Sequence, residues 1–335
     1  MNTIEQFNFI LKSFNIKATC LDARQVDNYI FFDLRMHPQA KVRDLQRHGD
    51  EIALAMKTSG KPSIKVLHDQ GIVRLEFVTP RDKPLKLFDF FTNNGVPVGG
   101  LVCLLGQTVD GKKVWMDLAQ NPHTIVAGTT GSGKSTLLHN IIANMLNYNG
   151  CIMHLIDPKN IEFHPYDGKF KHDLNVYYTY DEAMFVLDSL LDTMEERYRL
   201  MRAGRPASDF PYILLMVDEF ADLIMQDRDG QFYLKLCRLA QKCRASRISI
   251  ILSTQRPSVS IINGAIKANF PARIACKVAS HVDSKVVLDG SGAEHLLGKG
   301  DALLRDNFRH LERFQVAYTT ATEVCNYFGF STNGS

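Results

Sequence analysis

The sequence lacks the marks of several special environments. Its seven cysteines (Cys20, Cys103, Cys151, Cys237, Cys243, Cys276, Cys325) include no C-x-x-C pair. A zinc site wants close-spaced ligands and a disulfide framework wants a small secreted chain, so both readings fall away and buried thiols in a reducing compartment are expected. Apolar runs are short, Ile213–Val217 being among the longest, far below the ~20 residues that span a bilayer. No basic-then-apolar leader opens the chain, because Met1-Asn-Thr-Ile-Glu-Gln-Phe reads as the start of an amphipathic helix. Internal repeats and low-complexity tracts are also missing. What remains is an ordinary globular composition, 45% apolar and 22% charged over 335 residues, enough for two domains. The expectation is a soluble, cytoplasmic protein that does not insert in a membrane.

Acidic residues are missing from one stretch. Residues 1–118 hold 16 basic and 13 acidic residues, a net of +3, and the remainder holds 23 of each. Within that balanced remainder, residues 230–282 contain nine Lys/Arg and no Asp or Glu. Such a stretch is either a solvated basic face or the footprint of a negatively charged partner.

The first hundred residues read as a small α+β unit. Ile4, Phe7, Ile10, Leu11 and Phe14 recur at helical spacing, and Tyr29–Arg35 is rich in strand formers. Lys41–Met56 is of helix length, and Ser63–Leu67 with Val73–Val78 predicts a hairpin turning at Asp69-Gln-Gly71. The Pro/Gly cluster Gly95–Gly100 predicts a boundary, giving domains over 1–98 and 99–335. Beyond it, apolar runs at Thr124–Ala127, Ile152–Ile156, Ile213–Val217 and Ile248–Leu252 alternate with helix candidates at Ser135–Leu146, Asp181–Met201, Phe232–Arg244 and Ile261–Asn269. That alternation predicts an α/β fold with a mostly parallel sheet covered on both faces, and ligands then bind beyond the carboxyl ends of the strands.

The chemistry follows those runs. Gly128-Thr-Thr-Gly-Ser-Gly-Lys134-Ser135 matches the phosphate-loop pattern G-x-x-x-x-G-K-[ST] in full. Gly128, Thr129, Thr130, Gly131, Ser132, Gly133, Lys134, Ser135 and Thr136 are the expected ATP-binding set, their amides and the helix N-terminus facing the phosphates. Lys134 reaches the β- and γ-phosphates, and Ser135 offers its hydroxyl oxygen to Mg²⁺. The third run ends in Asp218-Glu219, where Asp218 fits the Mg²⁺-holding carboxylate and Glu219 a general base for water. The fourth ends in Ser253-Thr-Gln255-Arg256-Pro257, and Gln255 is placed to sense the γ-phosphate and orient water.

Together these features resemble the FtsK/SpoIIIE family of DNA-pumping ATPases. Pro122–Ser135, Ile156-Asp-Pro-Lys159, Val217–Leu223, Leu239-Ala-Gln-Lys, Ser253–Ser258, Ile266–Asn269 and Leu296-Leu-Gly-Lys-Gly-Asp301 follow in the family's order. The resemblance is close over roughly 100–305 and weaker over 20–90. It implies a RecA-like P-loop core in a homohexameric ring that drives double-stranded DNA through its centre with ATP and Mg²⁺. It also implies a trans-acting arginine at Arg244, with Arg247 the alternative, and DNA contacts at Arg256, Lys285 and His281. His281 stands where a lysine is common, and Arg247-Ile-Ser249 replaces the usual Gly-Ile-His. Alternatives to a cellular pump are an ATPase for packaging or conjugative transfer of a virus or mobile element, and a non-pumping ATP-binding DNA adaptor.

Overall fold

The computed structural model describes residues 3–26, 29–58, 60–79, 84–92, 101–148, 150–170, 173–307 and 311–330. Tertiary contacts divide the chain into two units, Met1–Pro84 with Val109–Lys112, and Leu85–Thr108 with Lys113–Ser335. The boundary read at Gly95–Gly100 lies outside the described residues. All seven cysteines are buried and free. Among the described residues no helix is long and apolar enough to cross a membrane.

The first unit comprises α1 (Thr3–Ser13), β1 (Ala18–Val26), β2 (Tyr29–Met36), α2 (Val42–Arg47), α3 (Gly49–Ala55), β3 (Ser63–Leu67) and β4 (Ile72–Val78). Its strands form an antiparallel sheet in the order β1-β2-β4-β3. Phe7, Ile10 and Leu11 lie three and four apart on α1, so one face of the helix is buried. Phe7 stacks on Phe32 with ring centroids 3.8 Å apart, and Phe77 meets it edge-on. The single helix expected over Lys41–Met56 is two, broken at His48, whose backbone leaves the helical region before Gly49. The predicted hairpin forms, with Gly71 at φ +64° in the left-handed region that glycine adopts without steric cost.

The second unit comprises α4 (Leu87–Thr92), β5 (Val102–Thr108), β6 (Lys113–Asp117), β7 (His123–Ala127), α5 (Lys134–Tyr148), β8 (Cys151–Ile156), β9 (Leu174–Tyr177) and α6 (Tyr180–Arg202). It continues through β10 (Tyr212–Val217), α7 (Phe220–Gln226), α8 (Gln231–Lys242), β11 (Ile248–Thr254), α9 (Gly264–Asn269) and β12 (Ala272–Cys276). It ends with α10 (His281–Leu288), β13 (Asp301–Arg305), β14 (Leu311–Val316) and α11 (Ala321–Tyr327). One sheet runs β6-β5-β14-β13-β12-β7-β11-β10-β8-β9. From β12 to β9 every pairing is parallel, and from β12 to β6 every pairing is antiparallel.

Successive strand residues enter opposite cores, which is why these strands read as unbroken apolar runs. Val126, Leu214, Met216 and Ile251 pack with α5 and α11 on one face. Ile125, Ala127, Leu215, Val217 and Leu252 pack with α6, α8 and α10 on the other. Two expected helices are shorter than read. The helix expected over Phe232–Arg244 stops at Lys242, and Arg244 rides a 3₁₀ turn, Cys243–Ser246. The helix expected from Ile261 starts at Gly264, where the Asn263 side chain accepts the amides of Ala265 and Ile266.

At the antiparallel end, Arg313 on β14 grips Asp301 on β13 through two bonds of 2.9 and 2.7 Å, both side chains at most 5% exposed. Asp301 also accepts the Leu297 amide at 2.9 Å and so fixes the turn before it. Removing one partner of a buried pair strands the other charge, so Arg313→Ala should destabilise the fold by about 3–5 kcal/mol in urea unfolding followed by circular dichroism. The joint change Asp301→Leu with Arg313→Met should lose less than Arg313→Ala alone. A loss below about 1 kcal/mol for Arg313→Ala would mean that the Leu297 amide alone satisfies Asp301.

Candidate nucleotide site

The phosphate loop emerges from β7, a strand buried along its whole length. Gly131 and Gly133 sit at φ +74° and +103°, where a side chain is strained. A Cβ on Gly133 would lie 2.3 Å from the Gly300 nitrogen, and one on Gly128 would lie 2.7 Å from the Cys276 Cβ. Backbone bonds hold the loop from three sides. Gly128 donates to Thr254 at the end of β11, and Thr129 donates to Lys277 just past β12. From the segment Leu296–Asp301, Lys299 donates to Gly131 and Gly300 to Ser132, at 3.1 and 2.8 Å. That segment is wound left-handed at three successive residues, Gly298, Lys299 and Gly300. A Cβ on Gly131 would meet nothing, so the cradle is open on that side.

Lys134 opens α5 only 3% exposed, and its Nζ donates to Asp218 Oδ1 and, at 2.9 Å, to Ser253 Oγ. Ser253 Oγ donates in turn to Asp218 Oδ1 at 2.7 Å. Parallel pairing sets this knot: Val217 lies opposite Leu252, so the next residues, Asp218 and Ser253, face each other at the carboxyl ends. Glu219 takes the left-handed conformation (φ +49°, ψ +57°) at the N-cap of α7 and is 2% exposed. Its carboxylate accepts Thr254 Oγ1 at 2.7 Å and the Gln255 amide at 3.0 Å, with Lys159 Nζ 3.6 Å away. Thr130 Oγ1 donates to Gln255 Oε1 at 3.1 Å, which joins the phosphate loop to the residue expected to sense it. Thr136 is half-buried on α5.

Two residues at this site escaped the sequence reading. Ser135 Oγ donates to Glu162 Oε2 at 2.6 Å, and His139 Nε2 lies 2.8 Å from Glu162 Oε1. Burial alone would raise the Glu162 pKa, but the His139 and Ser135 bonds and the Lys134 charge outweigh it and lower it. Only the spacing of Ser135 and His139, one helical turn apart, could have hinted at the pair.

Arg244 lies at the other end of the sheet. Its turn precedes β11, whose seven residues extend about 23 Å before reaching the phosphate loop. The turn is tied down by Arg197, which donates to Ser246 O at 2.6 Å, and by Tyr198, which donates to Lys242 O at 2.6 Å. Arg244 itself is exposed. Arg247 is engaged: its guanidinium stacks 3.7 Å over Tyr212 and donates to Ser208 O at 2.8 Å. Both arginines line a cleft of about 520 Å³ with Tyr198, Tyr212 and Lys242. Burial, and secondarily the Arg244 charge, lowers the pKa of neighbouring His123 to about 4.

Among the expected DNA contacts, Arg256 and Lys285 are exposed. His281 is exposed too, but its Nδ1 lies 3.0 Å from Glu294 Oε1. Burial would raise the Glu294 pKa, but the Gly292 amide, its own amide and the His281 and His295 rings bring it to about 2.

A phosphate loop closing on a buried lysine and an aspartate, at the carboxyl ends of a parallel sheet, defines a RecA-like P-loop ATPase core. The FtsK/SpoIIIE family model matches residues 96–209 and 203–259. DNA translocase FtsK of Haemophilus influenzae is 32% identical over 370 residues, covering 97% of this chain and 70% of that protein. DNA translocase SftA of Bacillus subtilis is 32% identical over 318 residues, 89% of this chain and 33% of its own length. The chain belongs to the FtsK/SpoIIIE family. It spans only about a third of SftA, and 40% of DNA translocase FtsK of Chlorobaculum tepidum. In fold it is similar to the conjugation coupling protein TcpA of pCW3, solved in monomer form with ATPγS (TM-score 0.66, 20% identity, 94% of each chain). It is also similar to the cytoplasmic domain of the type VII secretion ATPase EccC of Thermomonospora curvata (TM-score 0.61, 19% identity, 76% of this chain and 35% of that one).

The contact of Gly133 with the Gly300 backbone leaves no flexible atom to yield. Gly133→Ala should therefore weaken ATPγS binding by at least tenfold in calorimetry while the protein stays folded by circular dichroism. Wild-type affinity would mean that the Leu296–Asp301 segment can lift off the loop without harm.

Proposed function

We propose that this chain hydrolyses ATP to drive double-stranded DNA, whatever its sequence, through a homohexameric ring, and that it works in the cytoplasm. The observation that carries this reading is the placing of the expected site residues at the two ends of the sheet. Lys134, Ser135, Asp218 and Glu219 gather at the carboxyl ends, and an exposed arginine, Arg244, waits about 23 Å away at the amino end. That distance puts Arg244 out of reach of this chain's own phosphate loop, which supports a role on the nucleotide of another copy. The relatives' names as DNA translocases support the choice of substrate.

In this reading the amides of Gly131–Lys134 cradle the phosphates and Lys134 turns from Asp218 to the β- and γ-phosphates. Ser135 and Asp218 are hard oxygen donors suited to Mg²⁺. When bound, Mg²⁺ offsets the charge on the phosphates. Glu219, held by Thr254 and the Gln255 amide, accepts the proton of the attacking water, and Gln255 orients that water. Arg244 offsets charge on the neighbour's transferred phosphoryl group. Arg256 and Lys285 grip DNA phosphates without reading bases. His281 adds a weaker contact, being tied to Glu294.

Hydrolysis should rise with duplex DNA of any sequence and with protein concentration, and the DNA effect should fade steeply with salt. Glu219→Gln should bind ATP and assemble by light scattering but turn over very slowly. Arg244→Ala should lose on the order of a thousandfold in hydrolysis and keep nucleotide affinity. Mixing these two variants should recover activity, because some interfaces then pair an intact Glu219 with an intact Arg244. Mixed assemblies that stay inactive would overturn the trans role.

A further inference from the structure

We propose that Glu162 is a positioning residue for Mg²⁺: it takes the hydroxyl hydrogen of Ser135 and so aims the Ser135 oxygen lone pairs at the metal. The inference deepens the nucleotide-site reading above and rests on it.

A serine that gives its oxygen to a cation still carries a hydrogen, and that hydrogen needs an acceptor pointing away from the metal. The structure supplies one. Ser135 Oγ donates to Glu162 Oε2 at 2.6 Å, a short charge-assisted bond. Glu162 comes from the segment after β8, well away from α5 in sequence, and its carboxylate is held in turn. His139 Nε2 lies 2.8 Å from the other oxygen, Glu162 Oε1. His139 Nδ1 lies 3.0 Å from the hydroxyl of Tyr166, and Tyr166 is fully buried. A carboxylate accepts only, so Nε2 carries the hydrogen on that side and the imidazole ring is fixed in orientation. Asp157, also fully buried, shapes the segment that brings Glu162 back by accepting the amides of Ile161 and Phe163, both at 2.9 Å.

Four side chains therefore run in line, Ser135, Glu162, His139 and Tyr166, from the phosphate loop into the core. Partners that orient a metal ligand are worth tenfold to a hundredfold in metal affinity. Glu162 acts here through Ser135, with one oxygen accepting the Ser135 hydroxyl and the other facing His139 Nε2.

The test is a Mg²⁺ titration of nucleotide binding, with fluorescent ADP as probe and EDTA as the metal-free reference. Glu162→Gln should raise the Mg²⁺ midpoint by about tenfold or more and leave binding in EDTA unchanged. Tyr166→Phe, which only loosens His139, should move the midpoint the same way by a smaller factor. In a double-mutant cycle Ser135→Ala should raise the midpoint strongly, and adding Glu162→Gln should then cost little more. Losses that add would mean that Glu162 acts without Ser135 and would overturn the proposal, as would a wild-type midpoint in Glu162→Gln. If wild-type protein bound nucleotide equally with Mg²⁺ and with EDTA, the reading of the site as a Mg²⁺–nucleotide site would fail instead.

Discussion

Lys134 carries its charge to a place where it is 3% exposed, beside an Asp218 that is 4% exposed. An ammonium group there is tolerable only while paired and hydrogen-bonded, so α5, β10 and β11 must end at one point. Sheet register is thereby constrained as strongly as by the cores. Sliding β10 or β11 by one residue would turn Asp218 or Ser253 to the opposite face and take one of its two partners from the ammonium. The ammonium is tolerated there only in the completed knot with Asp218 and Ser253.

What the sequence disclosed, and what it hid, follows from how each contact is made. Four parallel strands, β7, β8, β10 and β11, were legible because burial on both faces leaves continuous apolar runs such as Ile213–Val217, whereas the parallel β9 and β12 were not read. The loop from Gly128 to Ser135 was legible because its glycines serve the local backbone. The antiparallel strands of the second unit escaped, β6 and β14 because they mix charged residues with apolar ones, as in Lys113-Val-Trp-Met-Asp and Leu311-Glu-Arg-Phe-Gln-Val. Glu162 and His139 escaped for a different reason: a loop returning from β8 brings them together, and no local pattern encodes that return. Leu296–Asp301 was visible only by resemblance. Its work is done by two backbone amides, which leave no side-chain signature beyond the glycines beside them.

Arg244 and Arg247, three residues apart, differ in their surroundings. Arg247 stacks on Tyr212, donates to Ser208 O and takes a left-handed backbone to enter β11. Its guanidinium is committed to holding the turn. Arg244, three residues earlier, is carried on a turn fixed by Arg197 and Tyr198, holds that turn only through its carbonyl, which accepts the Arg247 amide, and leaves its side chain exposed. The Arg244 guanidinium is thus presented to solvent from an ordered turn, where that of Arg247 is packed.

The left-handed run at Gly298–Gly300 bears on how the nucleotide site could feel the rest of its unit. Lys299 adopts φ +52° without being glycine, a conformation that costs roughly 1–2 kcal/mol and persists only where the surroundings hold it. Those surroundings are the carbonyls of Gly131 and Ser132 on one side and the Asp301–Arg313 pair on the other. A few residues earlier, Glu294 clasps His281, and α10 bears Lys285 on its exposed face. The phosphate loop and α10 are thus tied to one short segment that has little freedom to relax. The His281–Glu294 contact gives α10 a short path to Leu296–Asp301. Lys285 and the phosphate loop therefore sit on elements that are joined through the same short stretch, Glu294 to Asp301.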